Sequence, residues 1–122
     1  MTPELNGLEF DWFAIDRNGN LALFATAGEG FVPGFVAEHY LFHLALSDSI
    51  EVPDYGTADV WKNYAAVGLF VFDWRVPGGP YEKRASPSHP PDPTLIETIA
   101  TLHGIPRYSG SFDALQTVVD WP

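Results

Sequence analysis

The stretch LEFDWFAIDRNGNLALFATA, residues 8–27, decides how this chain folds. Two runs of bulky and aromatic residues, 8–15 and 21–27, flank the segment Asp-Arg-Asn-Gly-Asn at 16–20. Asn and Gly tolerate the positive φ angles of tight turns, so this pattern predicts a β-hairpin.

Three helices are predicted in the sequence that follows the hairpin. Apolar residues at spacings of three and four predict an amphipathic helix over residues 35–46. Thr57 is a suitable N-cap for a second helix over residues 58–66. Asp92, followed by a proline, predicts the start of a third helix over residues 94–103, which a glycine and a proline then stop.

The remaining elements are strands and loops. The apolar run 69–72 is typical of a buried central strand, and residues 81–85 follow a Pro-Gly turn as its partner strand. Residues 86–93 hold four prolines and predict an irregular loop, and a short strand is expected at 107–109. We therefore expect a single α+β domain over residues 1–122, with a mostly antiparallel sheet and about three helices. The predicted core contains Phe13, Ile15, Leu23, Phe24, Leu41, Leu44, Val67, Leu69, Val71, Leu95 and Ile99.

Composition indicates a folded protein. Hydrophobic residues make up 46% of the 122 residues and charged residues 18%, the opposite of a disordered balance. The chain has no cysteine, which excludes disulfides and thiolate chemistry. The N-terminal residues do not resemble a signal peptide and no apolar run is long enough to span a bilayer, so we expect a cytoplasmic location. Aromatic residues reach 15%, so we expect some of them to lie on a binding surface.

Charge is distributed unevenly along the chain. Residues 1–61 carry ten acidic residues and one basic residue, a net −9, whereas residues 62–122 are at −1. Such a field repels nucleic acid and anionic membranes and attracts basic partners. Arg75, Lys83 and Arg84 form the one basic cluster, which we interpret as local counterions for the acidic half.

The chemistry-bearing residues match no catalytic motif. Glu38, His39 and His43 place two histidines four residues apart, but the order differs from the His-Glu-x-x-His zinc motif. The helical pattern puts both histidines on the polar flank, so we expect no metal and no cofactor there. Asp73 follows the apolar run and would have a raised pKa if buried. No Gly-x-Ser-x-Gly motif is present, and Ser88 beside His89 is interpreted as ordinary loop polarity.

An acidic segment is the best candidate for a partner-binding surface. This segment, residues 47–61, contains four acids and two aromatic residues and no basic residue. Carboxylates would attract a basic partner, and an aromatic side chain would anchor it. The predicted partner-binding residues are Asp48, Glu51, Asp54, Tyr55, Asp59 and Trp61.

Two blocks of the sequence resemble known proteins. The blocks cover parts of residues 10–33 and 68–81. The resemblance is carried by Phe10, Asp11, Trp12, Phe13, Ala14, Ile15, Asp16, Gly19, Asn20, Ala22, Phe24, Ala27, Gly28, Gly30, Val32, Pro33, the run 68–74, Gly79, Pro80 and Tyr81. The pattern resembles small acidic uncharacterised bacterial proteins, which are similar in size and acidity to immunity proteins of toxin–immunity systems. The resemblance implies a role in neutralising a toxin and transfers no functional residue.

Three functions follow as hypotheses. The first is a non-catalytic immunity protein that blocks a toxin effector, such as a nuclease, by occluding its basic surface. The second is a small enzyme or ligand-binding domain with an aromatic-lined pocket that uses His39, His43 or Asp73. The third is a structural subunit that hides its aromatic residues in a homodimer.

Overall fold

The structure is a computed structural model that describes residues 10–26, 30–50, 60–77, 79–119 and 121. The strands are β1 (Asp11–Asp16), β2 (Leu21–Ala25), β3 (Leu69–Trp74), β4 (Tyr81–Ala85), β5 (Arg107–Tyr108) and β6 (Thr117–Val118). The helices are α1 (Gly34–Ala37), α2 (Tyr40–Ser49), α3 (Val60–Ala66) and α4 (Pro93–Ala100). No helix in these described ranges is long and apolar enough to cross a membrane.

The β1–β2 hairpin is confirmed where the structure describes it. The two strands pair antiparallel from Asp11 opposite Ala25 to Ile15 opposite Leu21. Gly19 has φ = 82°, the left-handed conformation that its missing side chain permits. The outer ends of the predicted hairpin, residues 8–9 and 27, lie outside the described residues.

All six described strands form one sheet in the order β5-β1-β2-β3-β4-β6. Three of the five pairings are antiparallel, namely β1–β2, β3–β4 and β4–β6. The pairings β2–β3 and β1–β5 are parallel. Parallel neighbours require a long crossover, which the helical segment between β2 and β3 supplies. The α+β prediction is therefore confirmed, as are the central strand and its partner.

One face of the sheet is a stack of aromatic rings. Trp12 stacks on Phe24 with ring centres 4.1 Å apart, and Phe24 stacks on Phe72 at 4.7 Å. Tyr81 and Phe112 pack edge-on against Phe24 and are fully buried. Side chains alternate between the faces of a strand, so these rings share one side. Most of the aromatic content thus serves the core, which the composition alone did not predict.

The other face of the sheet is aliphatic and is covered by helices α2, α3 and α4. Leu46, Tyr64 and Ile99 from these helices pack on strand residues of β1, β2 and β3. Of the predicted core, Val67 and Leu95 are half-buried and pack against this aliphatic face, and Leu44 is half-buried against the aromatic stack. Leu41 is exposed, so its prediction as a core residue is wrong. The buried members are Phe13, Ile15, Leu23, Phe24, Leu69, Val71 and Ile99.

The single helix predicted over residues 35–46 is wrong because the chain breaks at its fifth residue. His39 has φ = −122° and ψ = 23°, outside the helical region, and separates α1 from α2. Gly104 lies so close to His39 that a Cβ at position 104 would stand 2.3 Å from its Cβ. Gly104 therefore packs against the break, and beyond it α2 turns Leu41 outward and His43 inward.

The other two predicted helices are confirmed with shifted ends. Helix α3 begins at Val60, and the expected cap Thr57 lies outside the described residues. Asp92 caps α4, where its Oδ1 accepts the N–H of Thr94 at 2.8 Å. That helix ends at Ala100 instead of 103, because the chain turns toward Gly104, which has φ = 83°.

Candidate partner-binding surface

His43 is a core residue, which corrects its predicted place on a polar flank. Its Nδ1 accepts the backbone N–H of Phe13 at 3.1 Å, so Nε2 carries the proton and donates to the carbonyl of Gly104 at 3.1 Å. Burial lowers the pKa of His43 and nearby His39 lowers it further, whereas the hydrogen bond to Gly104 acts in the opposite direction. Both ring nitrogens are occupied, so His43 cannot chelate a metal together with His39 in this conformation.

His39 meets a different histidine at the surface. Its Nδ1 donates to the carbonyl of Phe35 at 2.9 Å, and its ring centre lies 4.8 Å from that of His103. The ring centre of Phe42 lies 5.0 Å from that of His103 and 6.4 Å from that of His39, so the three rings form a triangle. Within the described ranges, no group of three or more His, Asp or Glu side chains could hold a metal ion. The arrangement is a cluster of tilted and edge-on rings at the start of α2.

The solvent side of α1 and α2 carries an apolar patch bordered by acids. Leu41 is 62% exposed, Phe35 52% and Phe42 50%, unusually high values for side chains of this size. No Lys or Arg occurs between Arg17 and Lys62 to neutralise the acids. We name this surface the α2 face, and it consists of the exposed residues Phe35, Glu38, Leu41, Phe42, Ala45 and Asp48.

Asp48 is the one predicted partner-binding acid that the structure describes. It is exposed in the last turn of α2, where the helix dipole favours a basic residue and where none is present. Its position therefore costs stability within α2 and extends the α2 face toward the segment that follows. The other predicted members of that segment lie outside the described residues: Glu51, Asp54, Tyr55 and Asp59.

Trp61 is half-buried in a network of its own. Its indole N–H donates to Asp73 Oδ2 at 3.2 Å, and the backbone N–H of Trp74 donates to Asp73 Oδ1 at 2.8 Å. Burial raises the pKa of Asp73, while these hydrogen bonds and the charge of Arg84 act in the opposite direction. No described contact joins Asp73 to His39 or His43, so the three residues of the enzyme hypothesis are not brought together.

The basic cluster makes its described contacts locally. Arg75 pairs with Glu82 at 3.5 Å, and Lys83 donates to the carbonyl of Asp113 at 2.8 Å. Both partners belong to residues 62–122, so the expected neutralisation of the acidic half is not found among the described residues.

Ser88 and His89 lie beside an open depression of about 490 Å³ on the proline-rich loop. Ser88 Oγ lies 3.3 Å from His89 Nδ1, and both side chains are exposed. A catalytic triad requires a further hydrogen bond that orients the imidazole from its other nitrogen, and no such bond to His89 is described. The pair supports the interpretation as loop polarity.

The chain matches no family model, no curated protein and no solved structure. Function must therefore be argued from the surfaces themselves. The sequence reasoning missed Phe35, Leu41 and Phe42 as surface residues, although the run 40–46 contains more apolar side chains than one helix face can bury. It missed His103 because nothing in the sequence indicates a contact with a residue 64 positions earlier.

Proposed function

We propose that this protein is a non-catalytic binding protein whose α2 face docks on a basic surface of a protein partner. The observation that carries the proposal is the exposure of Phe35 on α1 and of Leu41 and Phe42 on α2, beside the exposed acids Glu38 and Asp48. Contiguous exposed apolar groups rimmed by polar residues are typical of protein-binding sites.

The apolar residues would supply most of the binding energy. Aromatic and large aliphatic side chains at the centre of an interface act as anchors, and truncating one costs about 2 kcal/mol or more. Phe42 and Leu41 are neighbours at the start of α2 and offer adjacent anchors. Their loss should act mainly on the dissociation rate.

The acids would raise the association rate and the selectivity for a basic partner. Glu38 and Asp48 lie at opposite ends of the α2 face, and the chain continues beyond α2 into Glu51, Asp54 and Asp59. Acidic groups with no nearby base raise the rate of encounter with a basic partner and disfavour acidic ones.

A toxin effector is the first partner to test. The resemblance to immunity proteins suggests it, and a net charge of −10 complements the basic surface that a nuclease uses to hold phosphates. The mechanism is occlusion: the α2 face and the acids beside it cover that surface, and rapid association limits exposure of the cell to free toxin.

The experiment uses the product of the neighbouring gene as the binding partner. Leu41→Glu together with Phe42→Glu should abolish binding measured by surface plasmon resonance. Val119→Glu is the matched control, because Val119 is 72% exposed and directly follows β6, outside the α2 face. Failure of the wild-type protein to bind, or equal loss in both variants, argues against the proposal. A dimeric mass in solution that the double variant converts to a monomer would instead assign the α2 face to self-association.

A further inference from the structure

Four rings meet where α1, α2 and the segment after α4 come together. The ring centre of His39 lies 5.1 Å from that of Phe35 and 6.4 Å from that of Phe42. The ring of His103 completes the group, with its centre 4.8 Å from that of His39. We name these four residues the ring cluster. Phe35 and Phe42 each expose about half of their surface, so the ring cluster offers aromatic surface to a ligand.

The ring cluster also contains a free hydrogen-bond acceptor. His39 Nδ1 donates to the carbonyl of Phe35, so in the neutral imidazole Nε2 has no proton and is an acceptor. Nε2 has no hydrogen-bond partner in the described part of the chain. It is not one of the buried unpartnered atoms there, so it is accessible to solvent. Gly104 packs closely against the His39 side chain, which holds this acceptor in a fixed position.

The charge beside the ring cluster is negative. Glu38 is exposed, and its helical backbone angles of φ = −65° and ψ = −22° place it on the same turn as Phe35, three residues earlier. No Lys or Arg occurs in residues 18–61 or 85–106, the stretches that contribute all four rings. A cation at the ring cluster would therefore meet a carboxylate and no competing base from these stretches.

We infer that the ring cluster and Glu38 form a receptor for an arginine side chain of the protein partner. A guanidinium can stack its flat face on a phenyl ring while its N–H groups donate to an imidazole nitrogen and to a carboxylate. A lysine ammonium is compact, more strongly hydrated and without a flat face, so arginine is preferred. The inference rests on the proposed function, since it specifies what the α2 face recognises in a basic partner.

The test is an NMR titration with N-acetyl-arginine methylamide that follows the imidazole C–H signals of His39 and His103, which His39→Gln and His103→Gln assign. We expect a saturable shift, with the lysine analogue binding about two- to fivefold more weakly. Phe42→Leu keeps an apolar side chain without the ring, and Glu38→Gln removes the charge. Each should weaken arginine binding by about two- to fivefold. Asp113→Asn removes an exposed acid between β5 and β6 and should change nothing.

Several results would overturn the inference. An equal response to the norleucine analogue would reduce the ring cluster to an apolar anchor, and tighter binding of the lysine analogue would overturn the arginine assignment. Binding that survives both Phe42→Leu and Glu38→Gln would place the probe elsewhere. A wild-type protein that does not respond to the arginine probe would also overturn the inference. In that case, partner binding that Leu41→Glu with Phe42→Glu abolishes would still support the proposed function, so the two failures are distinguishable.

Discussion

Asp16 Oδ2 accepts the backbone N–H of Phe112 at 2.9 Å, a hydrogen bond that spans 96 residues. The same carboxylate accepts the N–H groups of Asn18 and Asn20 at 2.9 and 2.8 Å, so one buried side chain closes the hairpin turn and fixes the C-terminal segment. Phe112 is fully buried against the aromatic stack. Asp16 therefore couples the two ends of the described chain.

Replacing Asp16 with Ala should be strongly destabilising. The change leaves the buried N–H of Phe112 without an acceptor, which costs about 1–3 kcal/mol, and removes the hydrogen bonds to the part-buried N–H groups of Asn18 and Asn20, each worth about 0.5–1.5 kcal/mol. We expect a loss of about 3 kcal/mol or more in the free energy of unfolding, measured by urea denaturation. Asp113→Ala is the control, because the side chain of Asp113 is exposed and should change stability by less than about 0.5 kcal/mol. Equal effects of the two substitutions would remove this role from Asp16.

His43 should make stability depend on pH. Its folded-state pKa is lowered, so between its unfolded value of about 6.5 and the lower folded value the unfolded chain binds more protons. Stability is therefore complete above about pH 6.5 and falls as the pH decreases, by at most about 1.4 kcal/mol per pH unit.

His43→Gln cannot take up a proton and should remove this component of the pH dependence. His89→Gln, at an exposed histidine, should retain it. Urea denaturation of the three proteins between pH 5 and 8 makes the comparison. A slope that is unchanged in His43→Gln would show that other groups cause the acid sensitivity.

Gly104 and Gly19 form a matched pair for testing the contact that divides α1 from α2. Both have positive φ angles, 83° and 82°, but a Cβ at Gly19 meets nothing within 4 Å whereas one at Gly104 would collide with His39. Gly19→Ala should cost about 1–2 kcal/mol of backbone strain. Gly104→Ala should cost clearly more by thermal or urea unfolding, and equal costs would mean that the contact with His39 yields easily.

Local chemistry in the sequence was sufficient to predict the hairpin, β3, β4 and the capped start of α4. Each depends on neighbours within a few residues, such as Gly19 in its turn or Asp92 at its cap. The break at His39 lies against Gly104, and β1 pairs in parallel with β5, so both features involve residues far along the chain. Such long-range contacts leave no periodic signal, so the phase of α2 and the exposure of Leu41 were not predictable.

The same limit applies to the candidate sites. Asp48 was identified because acidity is visible in composition, and the structure places it on the surface. Trp61 was predicted as a partner anchor, but its ring contacts Arg84 from a strand far along the chain. An apolar helix face can be recognised as exposed only once its rotation relative to the sheet is known.

Leu41 and Leu46 provide a stability test of that rotation. Leu41→Gln should change the free energy of unfolding by less than about 0.5 kcal/mol, because the side chain is exposed. Leu46→Ala should cost about 2–5 kcal/mol, because Leu46 is buried against the aliphatic face. A larger loss of stability for Leu41→Gln than for Leu46→Ala in urea denaturation would mean that α2 is rotated and that Leu41 belongs to the core.

The most direct test of the central claim is the association rate with the neighbouring gene's product at low and high salt. Asp48→Asn, Glu51→Gln, Asp54→Asn and Asp59→Asn together should slow association at low salt. The difference should shrink at high salt, where exposed charges are screened over about 3–10 Å. The control, Asp92→Asn with Glu97→Gln, removes exposed acids at α4 and should leave the rate unchanged. An association rate that the quadruple substitution does not alter at any salt concentration would contradict steering by these four acids.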